Sequence, residues 1–267
     1  MIDPIVSVRS APAPGGQPAP ITVSVVSHAH CKVVAGLMAQ LAVLHAGVIG
    51  HVVLTHNLPT GPVPAPEGGW PFRLTELFNE APQGFGANHN QAFAHCDTDF
   101  FCILNPDIEL PDSAIWPSLL ETVRQPGVGC AYPTLANGDG TRQENERELV
   151  TPAALLRRHL LRRPQCAAHW VSAAFWLVRS EAWRAVGGFD EGYFMYCEDA
   201  DFCVRLQLAG WRLAHTPSLA VHEASWASRR FGRHLGWHLR SMLRLWRQPH
   251  FAAYLRQLRA ERLRLAP

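Results

Sequence analysis

Residues 187–205 read GGFDEGYFMYCEDADFCVR. Five carboxylates, Asp190, Glu191, Glu198, Asp199 and Asp201, stand there among Phe189, Tyr193, Phe194, Met195, Tyr196 and Phe202, in a chain where charged residues make up only 17%. Carboxylates set among aromatic rings lose hydration and persist when they are paired, bound to a cation or used chemically. Phe202, Leu206 and Ala209 recur at helical spacing, so the pattern predicts a helix whose first turn holds Glu198, Asp199 and Asp201, where the helix dipole favours negative charge. Gly210 supplies its stop. Asp201 and Arg205 fall at i, i+4 and can pair as in any capped helix. A cap, however, asks for one acid and not three beside an aromatic run.

Working outward from this stretch, an α/β fold emerges. Upstream, Trp170–Val178 (WVSAAFWLV) is apolar enough for a buried strand, and Asp99–Leu104 (DFFCIL) is the strongest central strand, ending in Asn105-Pro106-Asp107. Pro106 holds Asn105 extended and stops the strand. A carboxylate just past the carboxyl end of a buried strand is where an open α/β sheet places its chemistry; an ordinary Asn-Pro turn reads the same way. Nearer the start, Ile21–Ser27 is a β-branched strand, 32–45 a helix with Val34, Leu37, Met38, Leu41 and Leu44 on one side, and His51–Thr55 a second strand. Strand, helix, strand at this spacing is a unit of a parallel sheet. Leu74–Phe78 reads as a third strand and Asn88–His95 as a second helix. Between them, residues 83–90 (QGFGANHN) form a junction able to present backbone N–H groups to a phosphate or sugar, although a tight turn looks alike.

Val128–Pro133 reads as a further strand and residues 137–140 (NGDG) as a hairpin turn. Residues 141–165 are polar and arginine-rich, an excursion from the core. Trp211–His215 and Leu219–His222 are short extended pieces around Pro217.

At 267 residues, 48% of them apolar, the chain can bury a sizeable core. Residues 1–20 lack a basic region followed by an apolar one and read as a flexible leader. Leu41–Leu54, the longest mostly apolar stretch, is interrupted and too short to span a bilayer. The seven cysteines contain no CxxC pair, which favours reduced thiols and a cytoplasmic setting. The net charge of +2 hides an asymmetry: residues 224–267 hold ten arginines against Glu261 and carry +9, leaving −7 for residues 1–223. From Arg229 to Arg264 basic residues alternate with Phe231, Leu235, Trp237, Leu239, Met242, Leu243 and others, and Pro249 splits the segment into two amphipathic helices.

Four pieces, GFGANHN (84–90), FCILNPDIELP (101–111), GGFDEGYFMYCEDADFCVRLQLAGWRL (187–213) and PSLAVHEAS (217–225), resemble in order and context the family 2 glycosyltransferases of the GT-A fold, most closely their rhamnosyltransferase-like branch in bacterial surface polysaccharide synthesis. The resemblance covers residues 21–230. It implies a Rossmann-like, mostly parallel central sheet flanked by helices (21–107 the nucleotide-sugar half, 108–225 the acceptor half), with residues 226–267 as a C-terminal amphipathic helical extension. It implies transfer of a sugar, rhamnose or another hexose, from a nucleotide-diphosphate donor to a saccharide or polyprenyl-linked glycan, with inversion.

On this resemblance Asp107, with Asn105 in the same motif, would hold Mg²⁺ or Mn²⁺ on the diphosphate, with His222 completing the coordination; a hard cation with open positions suits that role. Asp199 matches the general base, a role worth roughly 10²- to 10⁴-fold, with Glu198 orienting it or the acceptor. Asp190 and Glu191 would brace the loop. Ser27, His28, Asn57, Gly84, Asn88 and Asn90 would line the donor site. The chain departs from the family in carrying His56 where an acid is usual before Asn57, and Ala173 where a glycine is common.

For residues 229–264 three readings stand side by side: peripheral contact with an anionic membrane at its inner face, a solvated helix pair packed on the catalytic domain, or the contact of a homodimer. Two other functional classes remain open from sequence. A degenerate sugar-nucleotide or glycan binder would bind donor without transfer, and an RNA binder using the arginine tail would show tight, salt-steep RNA binding. A nucleotidyltransferase usually begins with a glycine- and lysine-rich segment, whereas Lys32 is the only lysine here. Nucleic acid is not an expected partner.

Overall fold

The structure is a computed structural model and describes residues 5–9, 19–44, 47–161, 167–223 and 233–265. Its frame is one nine-stranded mixed sheet. The first half is built by β2 (Ile21–Ser27), α1 (Cys31–Leu44), β3 (Ile49–His56), β4 (Arg73–Phe78), α2 (Phe85–Phe93) and β5 (Phe100–Leu104), with β4, β3, β2 and β5 parallel neighbours in that order. These strands are buried along nearly their whole length, as parallel strands covered by helices must be, which is why they read as continuous apolar runs. The expected leader contains a strand: β1 (Ile5–Arg9) runs antiparallel to β4 at the sheet edge. The rest of the leader before residue 19 lies outside the described residues.

The second half comprises β6 (Ile108–Glu109), α3 (Ile115–Arg124), β7 (Val128–Ala136), β8 (Glu146–Arg147), α4 (Pro152–His159), β9 (Trp170–Val171), β10 (Phe175–Arg179), α5 (Ser180–Val186), α6 (Glu198–Leu208) and β11 (Arg212–His222). β10 is antiparallel to both β5 and β7, so the sheet is parallel only in part. β11 lies parallel to β7 and antiparallel to β6.

Side-chain alternation sorts the core into two layers. On β5, Phe100, Cys102 and Leu104 join the layer beneath α1 and α3, whereas Phe101 and Ile103 join Trp176, Trp183, Phe189 and Phe202 on the other face. α6 is the helix expected to open on Glu198. Its arrival is abrupt: Tyr196 and Cys197 both have left-handed backbones (φ +71° and +66°), which turn the chain sharply so that Glu198 and Asp199 begin the helix. Non-glycine residues in that region are strained by about 1–3 kcal/mol each and cluster at functional sites.

Several boundaries differ from the sequence reading. The stretch 170–178 is broken into β9 and β10 at Ser172-Ala173-Ala174, and α2 starts at Phe85, three residues early, because its apolar first turn packs toward Phe189. The two pieces around Pro217 are one strand with an irregularity between Thr216 and Leu219, which lets proline sit without breaking the ladder.

Pro249 separates α7 (Arg233–Arg247) from α8 (Pro249–Leu265). Leu245, Phe251 and Tyr254 bury against Tyr193, Ala200 and Val204, contributing roughly 1.5–3 kcal/mol per large side chain. Asp201, fully buried, fastens the arrangement: its carboxylate accepts from His250 Nε2 (2.6 Å), Arg205 Nε (2.7 Å) and Tyr193 Oη (3.3 Å). The Asp201–Arg205 pair is thus present, with His250 of α8 as a third member. Asp190 likewise takes a two-pronged bond from Arg244 of α7, the brace expected of it. Residues 224–232 and 266–267, the flanks of the expected tail, lie outside the described residues.

Candidate active site

Strand order reverses direction of growth between β2 and β5, and the carboxyl ends there are where open α/β sheets bind ligands. Ser27, His28, Asn57, Gly84 and Asn88 all meet at those ends. Asn57 Oδ1 accepts from Asn79 Nδ2 (2.9 Å) and Gln83 N (2.8 Å), while Asn57 Nδ2 donates to Gln83 O (3.0 Å) and lies 3.3 Å from His28 Nδ1. Asn79 Nδ2 also donates to Asn88 Oδ1 (2.7 Å), and Asn88 Nδ2 to Gly84 O (2.9 Å). This buried amide chain holds the Gln83-Gly84 turn against the ends of β2 and β3. Asn57 and Asn88 therefore brace from behind the surface expected to meet the donor, while His28 is exposed.

Gly84 is required where it sits. A Cβ there would lie 2.8 Å from the carbonyl oxygens of both Tyr193 and Phe194, and Phe85 N donates to Phe194 O at 3.0 Å. The donor-side turn and the loop before α6 are therefore in backbone contact. Asn90 turns toward that same loop: its amide bonds Phe189 N, Phe189 O and Glu191 Oε1, so it clamps the two halves together. His56 is buried, bonded through Nε2 to Glu76 (2.9 Å) and through Nδ1 to Thr60 (2.7 Å), and stacked on Phe78. The acid absent at position 56 stands on the neighbouring strand as its partner.

Asn105, Asp107 and His222 are brought together by β6 and β11. Glu223 N donates to Asp107 O (3.0 Å), Ile108 N to Asn105 O (3.2 Å), and His222 Nε2 lies 3.3 Å from Asp107 Oδ1. Gln143 sets the ring. Its Nε2 donates to His222 O (2.9 Å) and Asn137 Oδ1 (2.7 Å), so its Oε1, 2.9 Å from His222 Nδ1, must be the acceptor and Nδ1 carries hydrogen. The outward nitrogen then faces a carboxylate with a lone pair to share with a cation.

Adjacent ligands on an octahedral cation about 2.1 Å away stand about 3 Å apart, so the pair fits one. Among the described residues no group of three or more His, Cys, Asp or Glu side chains gathers for a metal. Two protein ligands suit a cation held chiefly by substrate phosphates.

Glu198 and Asp199 occupy the other side. Burial, with Asp199 as like-charged neighbour, pushes the Glu198 carboxyl well up, and its Oε2 is buried with no partner among the described residues. Asp199 is half-buried. Burial lifts it to about 6, against the backbone N–H of Ala200 (2.8 Å), the Arg147 cation and the backbone N–H of Ala173. The two neighbouring carboxyls are thus both raised, Glu198 the more completely buried of the two. The Ser172-Ala173-Ala174 break links both sides: the backbone N–H of Ala173 helps lower the Asp199 pKa, and Ala174 O accepts from Asn105 N at 2.9 Å.

Residues 121–260 match the family model described as glycosyl transferase family group 2. The chain belongs to that family. It is 32% identical over 187 residues to rhamnosyltransferase WbbL of Escherichia coli (strain K12), covering 60% of this chain and 69% of that protein. It is also 32% identical over 163 residues to N-acetylglucosaminyl-diphospho-decaprenol L-rhamnosyltransferase of Mycobacterium tuberculosis, of which it spans about half, 53%. In fold it resembles mannosyltransferase PcManGT of Pyrobaculum calidifontis, solved with GDP-Man and Mn²⁺, at 16% identity and a TM-score of 0.60 over 94% of this chain and 77% of that one. The protein is a glycosyltransferase with the GT-A fold.

Asn79, Gln143 and Arg147 escaped the sequence reading. Asn79 follows β4 as Asn57 follows β3, a signal that was available at the strand ends. Gln143 and Arg147 lie in the polar excursion, where no periodicity marks them.

Proposed function

We propose that this glycosyltransferase moves a hexose, rhamnose being the leading choice, from a nucleotide-diphosphate donor to a saccharide acceptor carried on a lipid, with inversion, in cell-surface polysaccharide synthesis. The observation that carries the reading is the carboxylate pair Glu198 and Asp199 at the start of α6, with Glu198 Oε2 buried and unpartnered among the described residues, in the same domain as the Asp107–His222 pair at the strand ends. Asp199, ionised near neutral pH, takes the proton from the acceptor hydroxyl as its oxygen attacks the anomeric carbon. Glu198 orients the acceptor through the oxygen that has no partner among the described residues. Arg147 keeps the base from being neutralised by its own burial. The amide chain behind Gln83-Gly84 holds the donor wall rigid, and backbone contact with Phe194 brings the acceptor loop against it.

Asp107 and His222 would hold Mg²⁺ or Mn²⁺, which when bound neutralises charge gathering on the leaving diphosphate. The relatives named as rhamnosyltransferases, one of them acting on a diphospho-decaprenol substrate by its name, favour the sugar and the lipid carrier. Among the described residues no helix is long and apolar enough to cross a membrane. Peripheral contact with a membrane surface is supported by Leu235, Leu239 and Leu243, which recur every fourth residue along basic α7 and are all exposed. The test is release of nucleoside diphosphate from a panel of sugar nucleotides with purified lipid-linked acceptors, with and without Mn²⁺. Turnover with a nucleotide-diphosphate hexose, dependent on both acceptor and Mn²⁺, is expected; metal-independent turnover, or release of pyrophosphate, contradicts it.

A further inference from the structure

A cleft of about 820 Å³ opens between α7 and the loop before α6, with neither Asp107 nor His222 in its lining. Its walls include Gly84, Glu191, Phe194, Trp237, Arg240 and Arg247. Roughly 300–1,000 Å³ is the range of small-molecule pockets. The loop wall runs within a few residues into Glu198 and Asp199, and Gly84 belongs to the donor-side turn, so the cleft adjoins the reaction centre from the acceptor side.

Its charge is unbalanced. Arg244 is committed to Asp190, its guanidinium lying over Gly192, where a Cβ would come within 2.0 Å of Cζ. Glu191 is tied to Asn90 (2.9 Å). Arg240 and Arg247 have no hydrogen bond or ion pair among the described residues, and seven residues apart they share one helix face. Trp237 packs tilted against Phe194 (centroids 5.0 Å, 41° between ring planes), giving the cleft an aromatic wall. Arginine presents a planar fork that matches phosphate oxygens in pairs. The exposed leucine stripe lies beside these arginines on the same helix, which places them at headgroup depth when the stripe meets a membrane.

We infer that Arg240 and Arg247 bind the phosphoryl group that links the acceptor saccharide to its lipid, so that α7 fixes where along the acceptor the hydroxyl meets Asp199. This rests on the proposed lipid-linked acceptor, and the test reads binding without requiring transfer.

Farnesyl diphosphate is titrated calorimetrically into the full chain in EDTA, where no cation at Asp107 and His222 bridges a diphosphate. Arg240→Gln/Arg247→Gln is expected to weaken binding about tenfold or more, and Arg240→Lys/Arg247→Lys by only about threefold, as loss of charge and loss of fork geometry respectively dictate. Both variants are to keep the wild-type melting temperature and the Mn²⁺-dependent thermal shift with nucleoside diphosphate. Inorganic pyrophosphate showing the same arginine dependence supports phosphoryl recognition. Farnesol binding as tightly as farnesyl diphosphate overturns it. So does a double variant that loses phosphatidylglycerol vesicles yet keeps farnesyl diphosphate, since the arginines would then serve the bulk membrane. Failure of transfer with every acceptor, but retained arginine-dependent binding, would refute the proposed reaction and leave the phosphoryl site standing.

Discussion

His222 Nε2 lies 3.3 Å from Asp107 Oδ1, and Gln143 holds the opposite ring nitrogen as a donor. The ring is thus oriented before any ligand arrives. Asp107→Ala and His222→Ala are each expected to abolish the Mn²⁺-dependent part of the thermal shift with nucleoside diphosphate. Gln143→Leu touches no ligand directly and should weaken Mn²⁺ affinity about 10–100-fold while the fold is kept, the usual consequence of removing a residue that orients a ligating histidine. Titration of Mn²⁺ against donor binding checks both, and an unchanged Mn²⁺ midpoint in Gln143→Leu would count against the histidine as a ligand.

Arg147 opposes the effect of burial on Asp199. With Asp199 lifted to about 6 and acting as the proposed base, the acid limb of the kcat/KM profile should have its midpoint near pH 6. Arg147→Gln removes a favourable charge, so the limb should move to higher pH, and activity should fall more at pH 6 than at pH 8.5. A pH-rate profile of the two proteins decides this.

Asp201 is fully buried and satisfies Arg205 and His250 together. Asp201→Ala leaves two buried or half-buried donors without their acceptor, a change of the kind that destabilises by about 3–5 kcal/mol. Burial alone would raise the Asp201 pKa, but the bonds from His250 and Arg205 outweigh it and hold it below the ordinary value. Its stabilising contribution is therefore present above the unfolded-state pKa and lost as pH falls through the lower folded one. Urea unfolding of wild type and variant at pH 7 and pH 3 should show the gap narrowing at acid pH.

How far this was legible beforehand depended on the kind of signal. The strands of the first half were readable because strands buried on both faces must be apolar throughout, as in Ile21–Ser27. Asp201 with Arg205 was readable because i, i+4 spacing is local. The break at Ser172-Ala173-Ala174 was hidden inside one apolar run, since its cause is tertiary: Ala173 N is needed by Asp199 and Ala174 O by Asn105. Asn90 looked like a donor ligand by its neighbours in sequence, yet its partners lie about a hundred residues away, at Phe189 and Glu191. Gln143 and Arg147 act only through His222 and Asp199, so nothing around them in the chain advertises them.

Asp199 also carries a stability signature. A carboxyl raised to about 6 in the folded protein binds more protons than the unfolded chain between about pH 4 and 6, so its contribution falls as pH rises through that window and stays unfavourable above it. Asp199→Asn should raise stability by about 1–3 kcal/mol at pH 8 and by almost nothing at pH 4. Melting temperatures at the two pH values check the sign.

The most direct measurement is sugar transfer by Asp199→Asn with donor binding followed in the same preparation. The account predicts nucleoside diphosphate release reduced by roughly 10²-fold or more, the contribution of a positioned general base, with the Mn²⁺-dependent donor affinity retained. Transfer at the wild-type rate by that variant would contradict it.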